Sequence, residues 1–152
     1  MKKIAALFMI IFCGYTSVKA QVENPVTWSF TATKISAKQY EIHMQATVEG
    51  NWHIYAQNAG EGPEPTSFTF NKNPLIKLDG KVKEIGKLES LFDPNFKSTL
   101  RFYNGKVDFV QKVTLKSTAS TALKGTVVYM VCNDRRCLPP KEIPFTVKLN
   151  SK

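Results

Sequence analysis

Chemically versatile side chains are scarce in this sequence: 152 residues hold two histidines and three cysteines. No histidine follows Cys132 or Cys137, so the clustered ligand loop of a blue-copper site is missing. Two cysteines cannot fill a structural zinc site with four protein ligands. No metal or other cofactor is therefore expected. The sequence also lacks a G-x-S-x-G elbow, a phosphate-cradling G-x-x-x-x-G-K-[ST] loop and an H-E-x-x-H pair. No window of a dozen residues carries a helical apolar stripe, and beyond the first twenty residues no apolar run could span a bilayer. Low-complexity tracts, collagen periodicity and a dense cysteine framework are absent as well. With 43% hydrophobic and 11% aromatic residues, the chain is too apolar for intrinsic disorder.

What is present begins with an export signal. Lys2 and Lys3 precede an apolar run from Ile4 to Ile11 that extends to about Tyr15, and Val18-Lys19-Ala20 supplies small residues at the cleavage positions. Residues 1–20 are expected to be a signal peptide and residues 21–152 one globular domain, with no membrane insertion after cleavage. Cys13 follows Phe12, where a lipid-anchoring signal would need a small residue, and is read as part of the apolar run. Cleavage removes Lys2, Lys3 and Lys19 from the +9 formal charge, leaving +6. It also leaves Cys132 and Cys137 as an even pair, a disulfide candidate in an oxidising compartment.

The dominant period is two. Every even-numbered residue from Tyr40 to Val48 is apolar or aromatic, as in a half-buried strand. Trp28 to Ala32, Trp52 to Ile54, Phe68 to Phe70 and Ile143 to Leu149 alternate too, while 107–115 and 126–131 are rich in β-branched and aromatic residues. Between them lie turn signals at Gly50, Gly60 to Pro65, Asn73-Pro74, Asp79-Gly80, Asp93-Pro94, Asn104-Gly105 and Pro139-Pro140. Lys116 to Lys124 reads as a loop or short turn. Eight or nine short strands imply an all-β, immunoglobulin-like antiparallel β-sandwich, with a closed barrel as the alternative. Pro144 places the last strand at an edge, where a missing N–H costs little.

Two features have plain explanations. His43 faces away from the apolar set of its strand and is expected on a solvated sheet face. Lys72, Lys77, Lys81, Lys83 and Lys87 lie close together but are interrupted by Asp79 and Glu84. The aromatics fall on core positions instead of joining these lysines, so a solvated, pairing-resistant edge is expected and no nucleic-acid partner.

The cysteine segment carries the chemistry. Thr126 to Cys132 reads as a strand, Asn133-Asp134-Arg135-Arg136 as a turn, and Cys137-Leu138-Pro139-Pro140 as the return. The cysteines then face each other across a hairpin mouth, within disulfide reach. One consequence is a simple staple, yet closing so short a loop stabilises by only roughly 2 kcal/mol. The other is a redox pair, because a loop tip is open to another protein's thiolate. Arg135 and Arg136 favour a thiolate at Cys137, and Asp134 opposes it. Spacing and composition leave staple and redox pair evenly matched.

The run from Tyr129 to Pro140 resembles the active-site hairpin of the amino-terminal periplasmic domain of the DsbD family of thiol:disulfide interchange proteins. Gly50-Asn51-Trp52-His53-Ile54-Tyr55 is similar to that family's glycine-then-aromatic strand, with His53 and Tyr55 where it places two tyrosines near the disulfide. Phe92-Asp93-Pro94-Asn95-Phe96, ahead of Phe102-Tyr103, lines up with the family's capping loop, and Phe96 matches its capping aromatic. The likeness covers most of residues 21–152. It implies an immunoglobulin-like fold and electron transfer between thioredoxin-fold periplasmic proteins, disulfide isomerases and cytochrome c maturation factors among them. Cys137 would form the intermolecular mixed disulfide and Cys132 would resolve it, with Phe96 shielding the pair. Three departures stand out. The loop between the cysteines holds four residues, one fewer than in the well-known proteobacterial form. The acidic pair before the capping aromatic is replaced by Pro94-Asn95. The chain carries neither the multi-span membrane domain nor the thioredoxin-like domain, so a separate membrane or thioredoxin-like electron donor is expected. Competing with this protein-disulfide reductase activity are a non-catalytic immunoglobulin-like binding module with a structural disulfide and a degenerate relative that docks partners without exchange.

Overall fold

Alternating side chains become strands wherever one face can be buried, and the computed structural model, which describes residues 23–149, places nine of them. They are β1 (Val26–Lys34), β2 (Gln39–Val48), β3 (His53–Tyr55), β4 (Ser67–Phe70), β5 (Ile76–Asp93), β6 (Ser98–Leu115), β7 (Thr121–Tyr129), β8 (Val131–Cys132) and β9 (Lys141–Leu149). There is no helix among the described residues. The expected signal peptide at 1–20 lies outside them.

β2 is the clearest translation of pattern into packing. Tyr40, Ile42, Met44, Ala46 and Val48 are all buried, and the residues between them are partly exposed. β1 pairs with it antiparallel from Val26↔Val48 to Lys34↔Tyr40, and the C-terminal half of β6 pairs along its other side. The N-terminal half of β6 pairs instead with β3, which pairs with β8, while β5 covers the opposite side of β6. This gives a six-stranded sheet in the order β1-β2-β6-β3-β8, with β5 on β6. The second sheet is β4-β7-β9. Aromatic side chains join the two: Phe30 stacks on Phe145 at 4.7 Å, Phe68 meets Phe109 at 5.1 Å, and Trp28 meets Tyr129 at 5.4 Å between centroids. Such pairs add to the area they bury. Within the second sheet Gly125 makes room for the Phe145 ring, since a Cβ there would lie 2.5 Å from the Thr69 carbonyl oxygen and 2.7 Å from Phe145 Cζ. The architecture is an immunoglobulin-like antiparallel β-sandwich. β9 is an edge strand, as Pro144 requires.

Four expectations change. Asp79-Gly80 and Asn104-Gly105 do not end strands; they lie inside β5 and β6, and both glycines adopt positive φ. At the first, the β5–β6 register shifts between Asp79 and Lys83, and buried Gln111 donates its side-chain N–H to the Asp79 carbonyl at 3.3 Å. The bulge is thus absorbed by a neighbouring strand instead of breaking the chain's path. Thr121 to Lys124 is strand, because β9 supplies pairing from Leu149 to Thr146 and Leu123 fills the core. Thr126 to Cys132 is not one strand: the chain leaves the second sheet after Tyr129 and enters the first at Val131. His43 does face away from the core, but its Nδ1 lies 2.7 Å from Asp108 Oδ2 across β2 and β6 instead of standing alone in solvent. The lysines at 77, 81, 83 and 87 are exposed along β5, an edge strand.

Candidate functional site

The switch between sheets at Met130 delivers the cysteine hairpin to the end of β3. There His53 pairs with Cys132 and Ile54 with Val131. The turn is held by Asn133, whose side-chain oxygen accepts the backbone N–H groups of Arg135 and Arg136, each at 2.9 Å. Asn133 N–H donates to the Arg136 carbonyl and Leu138 N–H to the Val131 carbonyl, both at 2.9 Å. Those bonds leave Cys132 and Cys137 facing each other at a position without ladder bonds, where antiparallel strands approach most closely. The two are disulfide-bonded, with Cα atoms 4.0 Å apart.

The two cysteines differ in access. Cys132 is 3% exposed and packs in a small second core with Tyr55, Ala59 and Leu100. Cys137 is exposed. His53, directly opposite Cys132, shares its face of the sheet. The imidazole is 4.5 Å from the Phe102 ring and 5.3 Å from the Tyr55 ring between centroids, and its Nε2 is 3.4 Å from the Tyr55 hydroxyl. Burial lowers the His53 pKa, opposed in part by the Asp134 carboxylate. Burial and then Asp93 push the Tyr55 hydroxyl up to about 12. Arg136 is held by Glu23 and lies 6.0 Å from the centroid of the Trp52 ring. Of the two arginines beside Cys137, Arg135 therefore has no ion pair among the described residues.

Both cysteines open onto a groove of about 850 Å³ that His53, Tyr55, Leu91 and Phe96 also line. The loop after β5 is held by Asp93, whose carboxylate accepts the N–H groups of Asn95 at 2.7 Å and Phe96 at 3.3 Å. The Phe96 ring rests on Gly62, where φ is 121° and a Cβ would lie 2.6 Å from Cγ of the ring. Phe96 is 37% exposed, and in this arrangement Cys137 remains open to solvent. Among the described residues no three acidic, histidine or cysteine side chains gather as metal ligands.

The family described as "Thiol:disulfide interchange protein DsbD, N-terminal" matches residues 19–149. This chain belongs to the DsbD N-terminal family. Among solved structures, the DsbD N-terminal domain of Neisseria meningitidis in the reduced form is similar to it at 13% identity and TM-score 0.52, covering 81% of this chain and 86% of that one. The same bacterium's complex between the DsbD N-terminal and PilB N-terminal domains is similar at 12% identity and TM-score 0.52, with 83% and 87% covered. The N-terminal periplasmic domain of ScsB from Proteus mirabilis gives 14% identity and TM-score 0.52; 83% of this chain is covered but only 45% of that one. At these identities the likeness speaks to the fold. No protein of curated function matches the sequence.

In this DsbD N-terminal domain the five residues singled out from the sequence, Cys132, Cys137, His53, Tyr55 and Phe96, line one groove. Gly62 was not foreseen as the seat of Phe96. Its sequence signal, a glycine among the turn residues 60–65, does not show which side chain comes to rest on it. Glu89 and Leu91 also line the groove and were missed, because they belong to the long edge strand β5.

Proposed function

We propose that this domain exchanges thiols and disulfides with thioredoxin-fold proteins after export, with Cys137 taking the mixed disulfide and Cys132 resolving it. The observation that carries this is the unequal access of two bonded cysteines, Cys132 buried at 3% exposure and Cys137 an exposed residue lining an open groove. An incoming thiolate must approach the sulfur it attacks, and access decides which one that is. Attack on Cys137 forms a bond from the partner's sulfur to Cys137 and releases Cys132 as a thiolate. In the reducing direction the steps reverse: Cys137 attacks the partner's disulfide, and Cys132 then displaces the partner's thiolate. One dithiol carries one pair of electrons and is left as the disulfide once it has passed them on, so each turnover needs a donor to restore the dithiol.

His53, Tyr55 and Phe96 act in this reading as supporting residues. Tyr55 packs with Cys132, His53 is its cross-strand neighbour, and Phe96 stands at the groove with its ring seated on Gly62. Membership of the DsbD N-terminal family supports the exchange chemistry, and the PilB complex of the Neisseria domain supports a protein partner. The signal-like residues 1–20 and the periplasmic ScsB relative support a periplasmic location.

The reduction potential tests the proposal. Equilibration with glutathione or dithiothreitol buffers is expected to place it above about −300 mV, within reach of thioredoxin-like proteins near −270 mV. A value well below −300 mV would mark a structural bond and contradict the exchange role.

A further inference from the structure

When the partner is reduced, the buried sulfur meets a chemical problem. Cys132 must give up a proton before it can attack, yet the residue is 3% exposed and meets solvent only through the groove. A thiol in such surroundings is held as the thiol, since burial disfavours its charged form. The groove places one group beside it that can take a proton near neutral pH. His53 is the direct cross-strand partner of Cys132, on the same face of the sheet and the same groove wall.

We infer that His53 is the proton acceptor for Cys132 when the mixed disulfide on Cys137 is resolved. This rests on the exchange mechanism proposed above and adds a residue to it. In the step, the Cys132 thiol proton passes to the imidazole while the Cys132 sulfur bonds to Cys137. The bond between Cys137 and the partner's sulfur breaks, and the partner leaves as a thiolate that takes the proton from the imidazolium. The domain's dithiol is oxidised by two electrons and the partner's disulfide is reduced by the same two.

The surroundings fit an imidazole that is neutral and ready to accept. Burial lowers the imidazole pKa and so favours the neutral ring, and the Asp134 carboxylate across the hairpin turn favours the imidazolium once it forms. On β3 itself the Tyr55 hydroxyl is 3.4 Å from Nε2 and stays protonated up to about pH 12. From β6 come the neutral Asn104, paired with His53, and the Phe102 ring. On β5 the Glu89 carboxylate accepts a hydrogen bond from Asn104 at 3.0 Å, and Asp93 closes that strand. Arg135 and Arg136 line the hairpin side, with Arg136 engaged by Glu23.

Ring closure can be watched without a protein partner. The reduced purified protein is mixed with oxidised glutathione, quenched in acid at intervals, and the glutathione adduct on Cys137 is followed by mass spectrometry from pH 5 to 9. With His53 as acceptor, the rate of adduct loss rises through an inflection below pH 6.5 and then runs nearly flat to the thiol range. His53→Gln is expected to slow closure about 100-fold at pH 6.5, a general-base contribution, and to restore a tenfold rise per pH unit. A wild-type rate that climbs tenfold per unit without an inflection below 6.5 would overturn the inference. So would a folded His53→Gln variant that closes at the wild-type rate. The wild-type profile decides the matter even if the variant does not fold. Because glutathione stands in for the partner, failure of this profile removes the role of His53 alone, whereas loss of exchange itself is read by trapping a protein partner.

Discussion

Reducing the Cys132–Cys137 bond should weaken the domain without unfolding it, and the expected size follows from the hairpin. The cysteines are separated by 5 positions, so the bond closes a very short loop. The chain-entropy relation then assigns it about 2 kcal/mol. The turn does not depend on the bond, because Asn133 and the two backbone bonds flanking the cysteines hold the strands together when it opens. A domain of this size is stable by roughly 5–15 kcal/mol, so the dithiol form remains folded. Urea unfolding of the oxidised and reduced forms should show midpoints about 1 M apart, for a slope of about 2 kcal/mol per M. Near-ultraviolet circular dichroism of the reduced form in buffer should remain native. A reduced form that is unfolded in buffer, or a midpoint shift above about 2.5 M, would refute the reasoning and make the bond a staple.

Other consequences are equally direct. Gly62→Ala places a Cβ among the Phe96 ring atoms on a backbone of positive φ, costing about 1–3 kcal/mol in strain alone. Its cost in urea should fall by about 1 kcal/mol in a Phe96→Ala background, since packed neighbours couple; equal costs in both backgrounds would show that the ring is not seated there. Asp134→Asn removes the carboxylate that raises the His53 pKa, so the imidazole should titrate at still lower pH by NMR, and an upward shift would contradict the geometry. At the bulge in β5, the Thr114 hydroxyl and then Lys77 hold the Asp79 carboxyl below 3.8. The stability this gives is present above about pH 4 and lost as pH falls through the lowered value. The stability gap between wild type and Thr114→Val should therefore narrow from pH 6 to pH 2, and a gap that widens on acidification would be the wrong sign.

Burial on one face explains which elements the sequence made legible. β2 and β9 alternate strictly because one side of each meets the core, and the pairing of Cys132 with Cys137 follows from a strand, a four-residue turn and Pro139-Pro140. β5 escaped because it is an edge strand whose side chains mostly stand in solvent, Ile85, Leu88 and Leu91 included. Alternation is a signal of burial, and an element with little burial does not carry it. The glycines at 80 and 105 read as turns, yet neighbouring pairing carries both strands through them. Contacts between distant residues were not legible: His43 with Asp108, Phe96 with Gly62, and the change of sheet at Met130 each depend on where another strand lies. The candidate site residues could be proposed from the sequence because they fall in three short segments whose motifs are local, and the match over residues 19–149 bears out the family resemblance of those segments.

The central claim is that Cys137 meets the partner and Cys132 resolves the bond, and trapping tests it most directly. Each variant, Cys132→Ala and Cys137→Ala, would be produced from the full sequence in its native host and its mixed disulfides isolated under non-reducing conditions. Cys132→Ala leaves the exposed sulfur without a resolving neighbour and is expected to hold a thioredoxin-fold protein in a stable, thiol-sensitive adduct. Cys137→Ala, left with Cys132, which is buried in the folded domain, is expected to hold little or none. If neither variant captures such a partner, or both do so equally, the account is contradicted.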